Sequence, residues 1–297
     1  GLPSWDSAKE LVLAGAEMGH RPRRASDEGA TGAMSGSGGA GARWVAFEGA
    51  TNFRDLGGYP ALLGRQTRWG LVYRSGNLHH LTAKDLERFE RLGVKAVFDL
   101  RGGTERRLEP DPVASFHMPV LDEAASSEAA SVLVARSARE AEEALFHIYW
   151  GMLERRAAVF GQLLSHLAEP ENLPAVVHCA GGKDRTGLAA ALLLSTLGVP
   201  REVVLEDYAL SGEVPAAGSQ SLRQALAGAG VPSEAASVLL ESPPGPMARC
   251  LLEIDRRYGS TEAYLLGPAG VAPATLSRLR ELLTDWGPAD QEEPGDG

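Results

Sequence analysis

The chain has 297 residues, 44% hydrophobic and 23% charged, which is enough apolar matter for a real core and excludes global disorder. A net charge of −10 argues against a general nucleic-acid binder, which needs a basic face to displace counterions. Length alone suggests two domains, but both ends are low in complexity, and the roughly 245 residues between them suit one α/β domain.

Residues 1–42 read as a disordered arm. They hold a short helix near Asp6–Gly15, a basic Arg21-Pro22-Arg23-Arg24 and a Gly/Ser/Ala run from Gly29 to Ala42. Leu11–Ala16 is too short for a secretory signal, so a cytoplasmic protein is expected. Trp44–Phe47 reads as a strand, Thr51–Gly58 as a polar loop ending in a Gly-Gly turn, and Thr67–Arg74 as a second strand. Thr82 caps a helix that stops at Gly93, and Val94–Leu100 follows as a short apolar strand. Helix directly before strand is the rhythm of an α/β sheet. Phe116–Val120 is another strand, 122–145 two short Ala/Ser/Glu-rich helices, and His147–Ala168 a long amphipathic helix. Leu173–His178 is a buried strand, and Arg185–Leu197 a nearly all-apolar helix. Its run Leu188 to Leu194 falls far short of the ~20 residues needed to span a membrane. Helices near 200–211, 217–228, 246–258 and 274–285 complete the domain, and Ala289–Gly297 is an acidic, disordered tail.

Chemistry concentrates between the buried strand and the buried helix, in His178-Cys179-Ala180-Gly181-Gly182-Lys183-Asp184-Arg185-Thr186-Gly187. Successive N–H groups of such a loop form an anion nest, and the helix N-terminus adds partial positive charge. Gly181 and Gly182 permit left-handed dihedrals. The anion suits a phosphate held by the amides of Ala180, Gly181, Gly182 and Lys183, with Arg185 as a bidentate fork. The same field favours the thiolate of Cys179, a ready nucleophile, and Thr186 can place a hydroxyl near the sulfur. Lysine occurs only at Lys9, Lys84, Lys95 and Lys183 among 29 basic residues, so Lys183 stands out.

Cys179-x5-Arg185-Thr186 resembles the signature of the cysteine-dependent protein tyrosine phosphatase superfamily. The fuller His178-Cys179-x-x-Gly182-Lys183-Asp184-Arg185-Thr186-Gly187 is similar to that of the bacterial tyrosine/lipid phosphatases. Asn52–Gly58, Tyr73-Arg74-Ser75, Phe98-Asp99-Leu100-Arg101 and Tyr258–Leu265 extend the resemblance over about 44–287. The resemblance implies a central, mostly parallel sheet flanked by helices, a cysteinyl-phosphate intermediate, and neither metal nor cofactor. It also implies phosphorylated protein or lipid substrates and a helical lid, for which 122–145 is the place.

The expected domain is 43–288, with Asp184 as general acid inside the loop. Asp99 ends a strand and is a second carboxylate in reach, although pairing with Arg101 is its commoner use. Arg54 and Asp55 either buttress the loop or form an ion pair, and His178 orients the loop. His79-His80 lacks a companion carboxylate and reads as solvent-exposed, and Cys250 reads as core. Rival readings are a silent phosphate-binding module and another thiolate enzyme, such as an arsenate reductase or sulfurtransferase.

Overall fold

The computed structural model describes residues 43–121, 135–214 and 219–286. The expected arm, the tail and residues 122–134 of the expected lid lie outside the described residues. Five strands form the main sheet: β1 (Arg54–Asp55), β3 (Val72–Ser75), β4 (Ala96–Asp99), β5 (Phe116–His117) and β6 (Ala175–His178). Their spatial order is β1-β3-β6-β4-β5, and only the β1–β3 pair is antiparallel. A separate ribbon pairs β2 (Arg65–Thr67) with β7 (Thr284–Trp286).

The three central strands, β3, β4 and β6, are buried along their whole length, as a sheet covered on both faces requires. Side-chain alternation sorts them. Val72, Ala96, Phe98, Ala175 and Val177 join the main core, where they meet α3 (Ala138–Arg155), α4 (Ala157–Leu167) and α5 (Asp184–Thr196). Tyr73, Val97 and Val176 face the other way, onto Phe53, Leu78 and Phe89 of helix α1 (Ala83–Arg91). Thr82 caps α1 in a capping box with Asp85, and Asp85 also accepts from the N–H groups of Glu48 and Gly49 at 2.8 Å.

The remaining helices are α2 (Gly103–Leu108), α6 (Arg201–Ala209), α7 (Ser219–Gly228), α8 (Ser233–Leu240), α9 (Pro244–Tyr258), α10 (Thr261–Leu266) and α11 (Pro273–Leu283). Among the described residues, no helix is long and apolar enough to cross a membrane.

Several sequence expectations shift. Trp44–Phe47 makes only an isolated bridge, Trp44 to Arg54, because its partner β1 is two residues long. Thr67–Arg74 divides at Gly70, whose φ of +76° turns the chain and whose N–H is held by Asp55. The long helix expected over His147–Ala168 begins at Ala138 and breaks at Arg156, which has non-helical dihedrals. Residues 138–145 are therefore the first two turns of α3, with Ala141, Ala144 and Leu145 buried, rather than a separate short helix. Helices α7 and α8 share a small cluster with α3, built from Ala141, Leu226, Val231, Ala235 and Ala236. The Nζ of Lys183 donates to the carbonyl of Leu239 in α8 at 2.8 Å.

Candidate active site

The signature loop leaves β6 at the carboxyl end of the sheet, where open α/β folds place their ligands, and ends in the first turn of α5. Its shape is imposed from behind. Asn77 donates its N–H to the Ala180 carbonyl at 2.8 Å. The amide of Asn52 donates to the carbonyls of Gly181 and Gly182 at 3.2 and 3.0 Å. Arg74 donates to Gly182 at 2.8 Å and reaches Lys183, whose carbonyl also accepts from Gly187. With each carbonyl taken, the N–H groups of 180–185 meet no protein acceptor among the described residues. Amides left without a protein acceptor are what an anion nest offers. Gly182 alone of the paired glycines is left-handed, at φ +64°, and a Cβ there would lie 2.4 Å from the Ser75 backbone.

Arg74 and Arg54 are themselves fully buried, which demands a counter-charge. Asp207 of α6 supplies it. Arg54 Nε lies 3.1 Å from Asp207 Oδ1, Arg74 pairs with Oδ2, and Tyr59 donates to Oδ1 at 2.9 Å. Burial alone would raise the Asp207 carboxyl, but Arg74 and then Arg54 outweigh it and hold it near 2. Burial, followed by the positive charge of Arg74, lowers Arg54 to about 10. Arg54 also donates to Asn52 Oδ1 and to Ser211, fixing the asparagine that holds the loop. Two cations against one carboxylate leave a net positive charge behind the nest.

Cys179 is buried at the start of the loop. Arg185 is also buried, and its guanidinium is gripped by Glu105 of α2 at 2.7 and 3.0 Å. Burial opposes its charge, but Glu105 and then Cys179 prevail and raise it above its ordinary value. Asp184 accepts from the Tyr149 hydroxyl. Thr186 Oγ1 is buried without a hydrogen-bond partner, so its expected donation to sulfur is not formed in this structure.

The other expected residues lie behind the loop. Arg54 and Asp55 do not pair with each other, because Asp55 accepts from the N–H groups of Gly57 and Gly70. Asp99 takes the Arg101 side chain on both oxygens at 2.9 and 2.8 Å, which leaves it no free face. Arg101 also reaches Asp111, and His178 Nε2 lies 3.4 Å from Asp111 Oδ2. Asp99, Asp111 and His178 have metal-ligand spacing, yet the Arg101 guanidinium already bridges the two carboxylates. His79 is largely buried with Glu109 at 3.7 Å, contrary to the exposed pair expected, while His80 is exposed. Cys250 is core as expected. A hollow of about 550 Å³ on α4, lined by Gly161, Ser165, His166 and Glu169, shares no residue with the loop.

Sequence reasoning missed Asp207, Ser211, Glu105, Asp111 and Tyr149 as site residues, and singled out Asn52 and Arg74 only within wider motifs. Glu105 carried the only local signal. It closes on the N–H of Gly102 at the start of α2, the pattern of an acidic N3 residue.

Asp111 and His178 titrate in opposition. Burial and Asp99 raise Asp111 from 3.8 to about 6, so acidification through that range stabilises the fold through this group. Burial lowers His178 from 6.5 to about 4, so acidification through nearly the same range destabilises it. The two offset. Asp111→Asn should unmask the histidine, and urea denaturation should show stability falling between pH 6.5 and 4 at up to ~1.4 kcal/mol per unit, more steeply than in the parent. Parallel pH curves would mean that Asp111 is ionised throughout.

Residues 45–285 match the model of the tyrosine phosphatase family. A Cupriavidus necator protein named "Putative tyrosine-protein phosphatase" is 33% identical over 240 residues, 78% of this chain and 86% of its own. A tyrosine-protein phosphatase of Nostoc commune is 26% identical over 221 residues, 72% and 74% of the two chains. The triple specificity protein phosphatase PtpB of Mycobacterium tuberculosis is 28% identical over 274 residues, 79% of this chain and 97% of its own. A loop with an anion nest, a cysteine at its start and an arginine at its end thus lies within a match covering most of the chain, and the chain belongs to the tyrosine phosphatase family, enzymes that hydrolyse phosphoric monoesters.

Proposed function

We propose that the unit 43–288 hydrolyses phosphotyrosine and phosphoinositides through a cysteinyl-phosphate on Cys179, without metal or cofactor. The observation that carries this reading is the nest: every loop carbonyl from Ala180 to Lys183 is held by the scaffold, and the N–H groups are left to an anion. The amides and Arg185 bind the phosphate, and Glu105 fixes the guanidinium fork. Cys179 attacks phosphorus in line, Asp184 protonates the departing oxygen, and water hydrolyses the thiophosphate while Thr186 assists the sulfur. A reductase would need a resolving thiol. Burial raises Cys250 to about 12, which makes it unfit for that task. A nucleophile that must stay reduced suits the cytoplasm.

Cys179→Ser tests the nucleophile and separates the reading from a silent module. Turnover should fall below about one per cent while vanadate still binds, and EDTA should not affect the parent. Higher residual turnover in the variant would sink the assignment.

Asp184→Asn tests the acid. A general acid contributes roughly 10²–10⁴-fold, least for an acidic leaving group, so alkyl phosphates should suffer far more than p-nitrophenyl phosphate. Asp99→Asn should leave the leaving-group dependence as in the parent and act on stability through Arg101. The reverse pattern would make Asp99 the acid.

Lys183 tests the lipid substrate. Its Nζ bridges to Leu239 of α8 and lies 3.9 Å from Asp184 Oδ1, so it ties the loop to that helix. A second cation there favours substrates with more than one phosphate. The relative named for triple specificity supports a broad range. Lys183→Ala should lower kcat/KM for phosphoinositides several-fold more than for a phosphotyrosine peptide. Equal losses would mean that Lys183 serves the loop and its tie to α8.

A further inference from the structure

Tyr149 and Tyr208 are both buried, at 0% and 1% exposure, against the first turn of α5. Tyr149 donates its hydroxyl hydrogen to Asp184 Oδ1, and its oxygen lies 2.7 Å from that of Tyr208. The rings meet edge to face, 6.4 Å between centroids. Asp184 is otherwise 40% exposed, and its Oδ2 has no protein partner among the described residues. One oxygen is anchored and the other is open.

With Asp184 Oδ1 accepting, the hydrogen bonds run in one direction. Tyr149 has a single hydrogen and gives it to Asp184, so the hydrogen between the tyrosines must come from Tyr208. Burial, then Asp184, raises both hydroxyls well above 10, so both remain donors around neutrality. Space for this chain is made by Gly187, one turn after Asp184. A Cβ on Gly187 would lie 2.9 and 3.1 Å from two ring carbons of Tyr208.

We propose that Tyr149, aligned by Tyr208, is a positioning residue that anchors Asp184 through Oδ1 and so keeps the transferable proton on Oδ2. The inference rests on the reading of Asp184 as the general acid. As the Cys179 thiolate forms the S–P bond and the P–O bond breaks, the Oδ2 proton moves to the departing oxygen, which leaves as an alcohol. The carboxylate left behind keeps the Tyr149 hydrogen bond, which strengthens as its acceptor becomes charged. In the second step water attacks phosphorus, the S–P bond breaks to restore the thiolate, and the water proton returns to Oδ2.

Tyr149→Phe removes one oxygen and keeps the ring. With phenyl phosphate, kcat should fall about ten-fold, and with p-nitrophenyl phosphate less than about three-fold, since acid catalysis matters least for an acidic leaving group. The inhibition constant of inorganic phosphate should stay within about two-fold, because the nest and Arg185 are untouched. Tyr208→Phe should act in the same direction but more weakly, and it carries the test should Tyr149→Phe fail to fold. Asp184→Asn is measured in parallel. If it lacks the leaving-group dependence, the reading of Asp184 fails and the positioning role fails with it. If it shows the dependence while the folded phenylalanine variants affect both substrates equally or neither, Asp184 remains the acid and the positioning role alone is overturned.

Discussion

The carboxylate of Asp207 lies between Arg54 and Arg74, and the conformation of the whole phosphate loop descends from that contact. Arg74 reaches forward to the Gly182 carbonyl, and Arg54 fixes the asparagine that holds Gly181 and Gly182. All three charges are fully buried. Such a triad is costly to desolvate, and removing one member typically costs about 3–5 kcal/mol because its partners are left uncompensated. What the arrangement secures is placement. It also leaves an excess positive charge close to the nest, directed at the anion the loop is built to receive.

The two faces of the sheet carry contrasting ion clusters at the same level. Arg74 projects to the main-core side along with Val177, whereas Asp99 and His178, register partners on adjacent strands, project to the opposite side. The first cluster is net positive and touches the loop. The second pairs one arginine with two carboxylates, one of them shifted toward its neutral form, beside a histidine shifted toward its neutral form. Strand alternation thus separates a net positive brace from a floor whose single arginine faces two carboxylates, and a single strand pair supplies residues to both.

The loop was legible because its chemistry is local: a strand, a turn and a helix in uninterrupted sequence. The capping of α1 by Thr82 was legible for the same reason. The brace was not. Asp207 and Ser211 lie in and just after a helix whose neighbours include Glu202 and Glu206, and nothing in that pattern singles out the acid that turns inward. The β2–β7 ribbon joins Arg65 to Trp286, a pairing that no local window contains. Asp99 sits at the end of its strand, and its commoner use, pairing with Arg101 two residues on, is the one the structure shows. The break at Arg156 was missed because apolar spacing continues across it, from Leu153 to Phe160.

Holding every loop carbonyl from behind divides the molecule by tolerance to change. Asn52, Arg74, Asn77 and Asp207 act on the loop without facing its anion side, so the alterations most damaging to turnover need not touch a substrate at all. Helices α7 and α8 share a small cluster of alanine, valine and leucine with α3, and Lys183 of the loop donates to the carbonyl of Leu239 in α8. None of these bracing residues lies in α7 or α8, so sequence change confined to those two helices leaves the charges that shape the loop in place.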